Sequence, residues 1–463
     1  MPAGEEGASV VRAQPAAAPA AAAAGRARDG ARWLLPACAL LLAAVLAAWL
    51  ADLASHLPVM AAMRDLVVYR DGGLIVRHVR PAYDPRLASP LYDWTGANGV
   101  QFTYPPFAAL VFAVGTLLPW TLLRWAMTVA SVAALGVSVW ITFGSLGYRN
   151  RVRLAATLGV SALALATEPV QETLVLGQVN LLLMLLVVVD LLAGDGPPAQ
   201  AASARRWWHG AGIGVAAGIK LTPLIFIPYL LLIRRYRQAA VAVAAFAATV
   251  ALGYAVLPAA SRAYWADGLF ANANRIVFLG TRGNQSLRGV LTRLAGSVAA
   301  ANLPWLAAAV VVVILGLGAA AALYRAGHPV PGMLACALTG LLAYPLSWDH
   351  HWVWVAPGIA LLADLGARAG GAARAAWWAA AAGLVLAFGA WPQLWDSGAG
   401  LTPAGLFWYA PGTYFATGDR PWYHEFHWHG LQLLAGNLFV LAGLAALAAL
   451  VAAALRLLRS APP

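Results

Sequence analysis

Charge is what this chain lacks most. Only 10% of its 463 residues are Asp, Glu, Lys or Arg, where a soluble domain carries roughly 25%. Lysine is nearly absent, Lys220 being the sole example. Cysteine is scarce too, and Cys38 and Cys336 both lie in apolar runs, which argues against a disulfide framework or a thiolate metal site. There is no G-x-x-x-x-G-K-[ST] loop, so nucleotide-driven pumping has no support. What fills the chain instead is apolar: 62% hydrophobic residues and a mean hydropathy of +0.72. Runs near 20 residues recur along the whole length, the signature of transmembrane helices. The net charge of +12 does not point to nucleic acid, because the arginines sit in short clusters between apolar runs, where they act as topological anchors.

Residues 1–32 are rich in Ala, Pro and Gly, end on Arg26, Arg28 and Arg32, and read as a disordered cytoplasmic tail. The run 33–53 reads as a signal-anchor helix that stays attached. Arginine clusters follow at 149–153, 205–206, 234–237, 368–374 and 456–459, with a weaker one at 325–328. If all face the cytoplasm, the spans between them come in even numbers. Spans are expected at 120–144, 152–167, 180–192, 238–257, 302–323, 331–346, 352–367, 375–392 and 431–455. Residues 105–119 open on Pro-Pro, are short, and fit a helix dipping in from outside. The stretch 209–233 has arginines at both ends and Lys220-Leu-Thr-Pro223 in its middle, so it reads as a hairpin of two short helices. A single tilted helix there would invert everything downstream. The expected architecture is an all-α polytopic membrane protein, with about twelve transmembrane helices in one domain over 33–456 and a cytoplasmic tail over 457–463. Its outer segments are 56–104, 168–178, 258–301, 347–351 and 393–430, and juxtamembrane helices and loops lie there. Such a protein sits in the plasma membrane with its site on the extracytoplasmic face.

The polar side chains concentrate in those outer segments. Asp65, in Arg64-Asp-Leu-Val-Val-Tyr-Arg-Asp71, follows the first helix and is a candidate general base or a solvated loop acid; Asp71 and Asp84 compete with it. Glu168, Gln171, Glu172, Gln178 and Asn180 crowd one short turn between apolar helices, which is costly unless they line a wet cavity or end a helix. Lys220 sits mid-membrane, where an ammonium needs an anionic partner, water or a path to an interface. A lipid-linked phosphate would supply the first, and so would Asp190. Ser347-Trp-Asp-His-His351 ends a span with more polarity than an aromatic belt requires. His424-Glu-Phe-His-Trp-His429 lacks the helical H-E-x-x-H spacing and reads as loop polarity, so no metal is expected. The segment 56–104 holds no Asp-x-Asp triplet.

Six motifs in order complete the pattern: Asp65, Phe102-Thr-Tyr-Pro-Pro-Phe107, Gly177-Gln-Val-Asn180, Lys220-Leu-Thr-Pro223, Gly283-Asn-Gln-Ser-Leu-Arg-Gly289 and Ser347-Trp-Asp-His-His-Trp352. Together they resemble glycosyltransferase family 87 of the C-type (GT-C) superfamily, from about residue 65 to 355. The resemblance is strongest to the actinobacterial α-1,2-mannosyltransferases that use polyprenyl-phosphate-mannose. It implies an inverting mannosyl transfer to a lipid-linked mannoside of the phosphatidylinositol-mannoside or lipomannan type. The family's base maps to Asp65. Lys220, Arg288, His350 and His351 become candidates for the phosphate, and Glu168, Gln178, Asn180, Tyr104, Asn284 and Gln285 for the rest of the substrate. Polyprenyl phosphate is already a stable leaving group, so no cofactor is implied and a metal is not obligatory. Asp349 departs from the family pattern. A transporter or flippase for a lipid-linked substrate is the rival from another class; the polar outer segments and the lack of an inverted repeat weigh against it. A same-architecture transferase of arabinofuranose or phosphoethanolamine is a second rival, and a non-catalytic assembly subunit a third.

Overall fold

The structure is a computed structural model that describes residues 34–51, 63–79, 86, 89–94, 100–193, 207–273, 279–391, 405–409, 425–426 and 428–460. The tail 1–32, Asp84, Arg205–Arg206 and most of 393–430, including His424 and His427, lie outside the described residues. The described residues form helices joined by short turns, without a β-strand. Six helices are long and apolar enough to cross a membrane: α1 (Leu34–Ala51), α4 (Trp120–Ser145), α10 (Tyr236–Val256), α12 (Val298–Arg325), α15 (Gly371–Phe388) and α16 (Leu438–Ser460). The protein is thus a multi-pass membrane protein.

Between these lie shorter helices: α2 (Arg64–Val76), α3 (Pro106–Gly115), α5 (Asn150–Leu165), α6 (Glu168–Leu176), α7 (Asn180–Leu192), α8 (Ala211–Ile219), α9 (Phe226–Leu232), α11 (Leu287–Ala295), α13 (Pro329–Ala343) and α14 (Val355–Arg368). The expected count of about twelve full spans is therefore not reached by length. At 1.5 Å per residue, the 13 residues of α7 cover about two thirds of a 30 Å hydrocarbon layer. Short helices of this kind persist because they are enclosed by longer ones. Leu181, Met184, Val187 and Val188 of α7 are fully buried in the main core.

The segment 209–233 folds back on itself. Gly210, Gly214 and Gly218 repeat every fourth residue and press onto α10: a Cβ added at each would strike Gln238 O, Ala242 O and Thr249 Oγ1 in turn. This is the small-residue contact that lets membrane helices approach closely. Because both sets of numbers rise together, α8 runs parallel to α10. The chain must then return through a 3₁₀ turn (Thr222–Ile225) and α9 to reach the start of α10. Lys220 stands at the tip, where α8 stops before Pro223.

Arginines collect at the end of the bundle opposite that tip. Arg153 donates to Trp140 O at 2.9 Å and Arg368 to Leu146 O at 2.6 Å. Arg235 reaches Leu191 O at 3.2 Å and the Tyr324 hydroxyl at 2.7 Å, and Arg325 caps Leu232 O. Capping of terminal carbonyls by cations is favourable in itself.

Candidate functional site

The site grows from one turn. α6 and α7 meet at 118°, and the bend is made by Gly177, whose φ of 69° lies in the left-handed region. A Cβ there would also stand 2.7 Å from Leu66 Cβ, so this position needs glycine both for its backbone and for the close approach of α2. The next residue, Gln178, is buried and donates its amide to Asp65 Oδ2. Its carbonyl accepts the Tyr69 hydroxyl at 2.6 Å, and its Nε2 meets the Tyr104 hydroxyl at 3.1 Å. Tyr69 and Tyr104 also bond to each other at 2.9 Å. Burial, followed by the charge of Asp65, pushes the Tyr104 hydroxyl well above its usual range, so it stays a donor. The amide is thereby held with one face, and Asp65 Oδ2 is fixed on it.

Two residues further on, Asn180 accepts from Lys220 Nζ at 2.9 Å and donates to His350 O at 2.9 Å. Lys220 also lies over the Tyr104 ring at 5.7 Å. A single turn therefore holds a carboxylate with its second residue and an ammonium with its fourth. Thr173, on α6, donates to His350 O as well, at 3.2 Å.

His350 and His351 open the 3₁₀ segment Asp349–Trp354, which leads into α14. His350 Nδ1 is 3.1 Å from Asp349 Oδ1. Both ring nitrogens of His351 are buried, and among the described residues neither has a hydrogen-bond partner. Burial first, then Lys220 and His350, hold its imidazole well below the usual histidine range, so it is neutral. His351 lines a small cavity of about 60 Å³ together with Asn180, Thr222, Ser347, Met184 and Trp354. Neutral imidazole, amide, hydroxyls and the adjacent Lys220 form a donor set suited to a phosphate. Glu168 is fully buried, takes a bond from Trp408 Nε1 at 3.4 Å, and lies within electrostatic reach of Glu172 and Asp349. Glu172 in turn reaches Asp65.

The structure thus gathers Asp65, Tyr104, Gln178, Asn180, Lys220, His350 and His351, with Glu168 behind them. Asn284, Gln285 and Arg288 stand elsewhere. Asn284 donates to Leu279 O at 2.9 Å and accepts from Ser347 N at 3.1 Å. Gln285 Nε2 donates to Arg282 O at 2.7 Å and Gly436 O at 2.8 Å. Both side chains are fully buried; that of Asn284 clamps the loop that carries Asp349 and the histidines, whereas Gln285 reaches this loop through its main-chain N–H, which donates to Ser347 O at 2.7 Å. Arg288 bonds Asn302 at 2.7 Å and stacks on Trp305 at 4.6 Å, on α12 rather than beside Lys220. Among the described residues no group of three or more His, Cys, Asp or Glu side chains could hold a metal ion.

Sequence reading passed over Tyr69 and Arg293. Tyr69 lies four residues after Asp65 on a helix, hence on the same face, and that spacing was the available signal. Arg293 is buried, donates to Thr281 O at 2.7 Å and to Asn437 Oδ1 at 3.0 Å, and braces the loop that carries Asn284. No local signal marks it, since its partners are about 10 and 140 residues away.

Comparison with known proteins follows the same positions. The model of glycosyltransferase family 87 matches residues 102–345. A polyprenol-phosphate-mannose-dependent alpha-(1-2)-phosphatidylinositol pentamannoside mannosyltransferase of Mycobacterium tuberculosis (strain CDC 1551 / Oshkosh) is 33% identical over 82% of this chain and 81% of its own length. Its namesake in Mycolicibacterium smegmatis is 36% identical over 58% of this chain and 63% of its own. A polyprenol-phosphate-mannose-dependent alpha-(1-2)-phosphatidylinositol mannoside mannosyltransferase of Mycobacterium tuberculosis (strain ATCC 25618 / H37Rv) is 31% identical over 66% and 71%. No solved structure matches the chain.

Proposed function

The chain belongs to glycosyltransferase family 87, and on that premise we propose that it transfers mannose from polyprenyl-phosphate-mannose to a phosphatidylinositol-mannoside-type glycolipid, forming an α-1,2 linkage with inversion. The observation that carries this reading is the turn Gly177–Asn180, which holds Asp65 and Lys220 side by side. An inverting transfer needs one base for the acceptor hydroxyl and one cationic cradle for the leaving phosphate. Asp65 keeps Oδ2 on Gln178, and among the described residues no hydrogen bond engages Oδ1, which faces its task with a lone pair available. The acceptor oxygen attacks the anomeric carbon, its proton passes to Asp65, and the bond from that carbon to the phosphate oxygen breaks. Both electrons of that bond leave with the polyprenyl phosphate. Lys220, His351, Asn180 and Thr222 supply positive charge and hydrogen-bond donors where the negative charge grows, the arrangement that contributes most in a water-poor site. The cluster of Arg153, Arg235, Arg325 and Arg368 at the opposite end supports, by the positive-inside rule, a site on the extracytoplasmic face of the plasma membrane.

Asp65→Asn tests the reading. It keeps size and the bond from Gln178 but cannot take the proton. General base catalysis contributes about 10²–10⁴ in rate, so turnover of purified protein should fall at least about 100-fold while donor binding persists. Asp71→Asn should stay near wild type. An Asp65→Asn enzyme retaining more than about a tenth of wild-type turnover, above the range a lost base allows, removes Asp65 from the role.

A further inference from the structure

Directly beneath the site lies a second, larger cavity of about 210 Å³ that the chemistry above does not use. Its walls come from α2, α3, α4, α7 and the end of α8, through Tyr69, Phe112, Met127, Leu186 and Ile219. The rings of Tyr69 and Phe112 stack at 4.1 Å to make one flat apolar wall. The lining includes Val111, which is 38% exposed on the outer surface of α3, so the cavity reaches toward the bilayer.

Its roof is the floor of the site. Tyr69 lines the cavity, yet its hydroxyl holds the Gln178 amide that binds Asp65. Ile219 lines it as well, and the next residue is Lys220. A chain entering the cavity is therefore tethered very close to the reacting atoms. Two lipids meet at this enzyme, and they differ in that respect. In a polyprenyl-phosphate sugar, one phosphate separates the anomeric carbon from the hydrocarbon. In a phosphatidylinositol mannoside, several sugar rings, an inositol and a phosphodiester intervene between the accepting hydroxyl and the acyl chains. Only the first can place its hydrocarbon directly under the base and the lysine.

Polarity points the same way. Apart from Tyr69 and Arg70, whose guanidinium lies 5.8 Å from the Trp120 ring, the lining among the described residues is apolar, as a hydrocarbon guest requires. Size sets how much of the chain enters. An apolar cavity of about 150 Å³ stays dry and takes a guest the size of benzene, so this one has room for the first isoprene unit or two.

Resting on the function proposed above, we infer that this cavity is the docking slot for the phosphate-proximal isoprene units of the donor, with the remaining chain in the bilayer. The enzyme then reads the shape of the first units and is indifferent to total chain length.

The test uses purified full-length protein in lipid nanodiscs and a synthetic mannosyl phosphate of a C35 isoprenol. One version carries a diazirine on its first isoprene unit, another on its last. The first-unit probe should label Phe112, Met127 or Leu186, and the last-unit probe should label bilayer lipid. Met127→Trp, which fills the slot, should raise the donor KM at least tenfold and leave the acceptor KM unmoved. Leu122→Trp, on the lipid-facing side of the same helix at 52% exposure, should change neither. First-unit adducts beside Trp354 in the smaller cavity, labelling of the slot by an acceptor with a diazirine in its acyl chain, or a raised acceptor KM in Met127→Trp would each overturn the assignment. Failure of the underlying function looks different, because wild-type protein would then transfer no mannose from either probe.

Discussion

Replacing Gly177 by Ala isolates the geometry of the site from its chemistry, because the residue carries no functional group. Two penalties are visible. An L-residue in the left-handed region costs about 1–2 kcal/mol, and Gly177 has φ 69°. The new Cβ would also fall 2.7 Å from Leu66 Cβ, where carbon atoms rest at about 3.5–4.0 Å. Relief requires α2 to retreat by roughly 1 Å, and Asp65 is the neighbour of Leu66 on that helix. A misplacement of about 1 Å at a reacting group costs on the order of 100-fold, or about 2.7 kcal/mol of barrier. Turnover in Gly177→Ala should fall by about that factor, with elution on size exclusion and thermal midpoint in detergent showing a folded protein. Gly177→Asn separates the two penalties, since Asn tolerates the left-handed region but brings the same Cβ. The close approach of α2 predicts that both variants lose activity together. An active Gly177→Asn beside an inactive Gly177→Ala would show that backbone conformation alone matters, and would refute the argument from helix contact. So would Gly177→Ala at near wild-type turnover.

Three further outcomes are expected. Lys220→Met should raise the donor KM about 10- to 100-fold, the equivalent of a lost charge-assisted hydrogen bond of roughly 1.5–3 kcal/mol, with the acceptor KM unchanged; an unchanged donor KM would take the phosphate from Lys220. Arg288→Ala should leave turnover within about twofold, the size of a surface substitution, because its guanidinium is engaged by Asn302 and Trp305; a loss above tenfold would return it to the substrate. In a protein lacking Cys38 and Cys336, an impermeant thiol reagent on intact cells should label Arg77→Cys but reach Arg151→Cys and Arg237→Cys only after permeabilisation, all three positions being exposed; labelling at 237 in intact cells would abolish the hairpin.

The helices were legible in the sequence because an apolar run bounded by arginines has one physical interpretation in a membrane. The hairpin was legible for a related reason: arginines at both ends place both ends on one side, and a lone lysine before Leu-Thr-Pro favours a break between them. Span lengths were less so, since α7 and α13 are short helices whose completeness depends on neighbours that a linear reading does not supply. Within the site, Gln178, Asn180 and Lys220 announced themselves by polarity in apolar surroundings. That same signal cannot say what the partner is. Asn284 and Gln285 are as polar and as buried, yet their amides go to main-chain carbonyls, those of Leu279, Pro345, Arg282 and Gly436. Tyr69 shows the converse, an aromatic residue that reads as core and whose one polar atom orients the amide on Asp65.

The fold-back at 209–233 has a consequence for how such a protein could arise. A full transmembrane helix gained or lost reverses the orientation of everything after it, so it is a change that a polytopic chain rarely survives. The segment from Gly210 to Arg235 leaves from and returns to the same side. It is topologically silent, and its insertion, loss or exchange leaves every later helix pointing as before. The residue at its tip, Lys220, is therefore carried on the one kind of membrane element that can be traded as a cassette. Relatives can then alter the cation proposed here to meet the leaving group without rebuilding the scaffold around it.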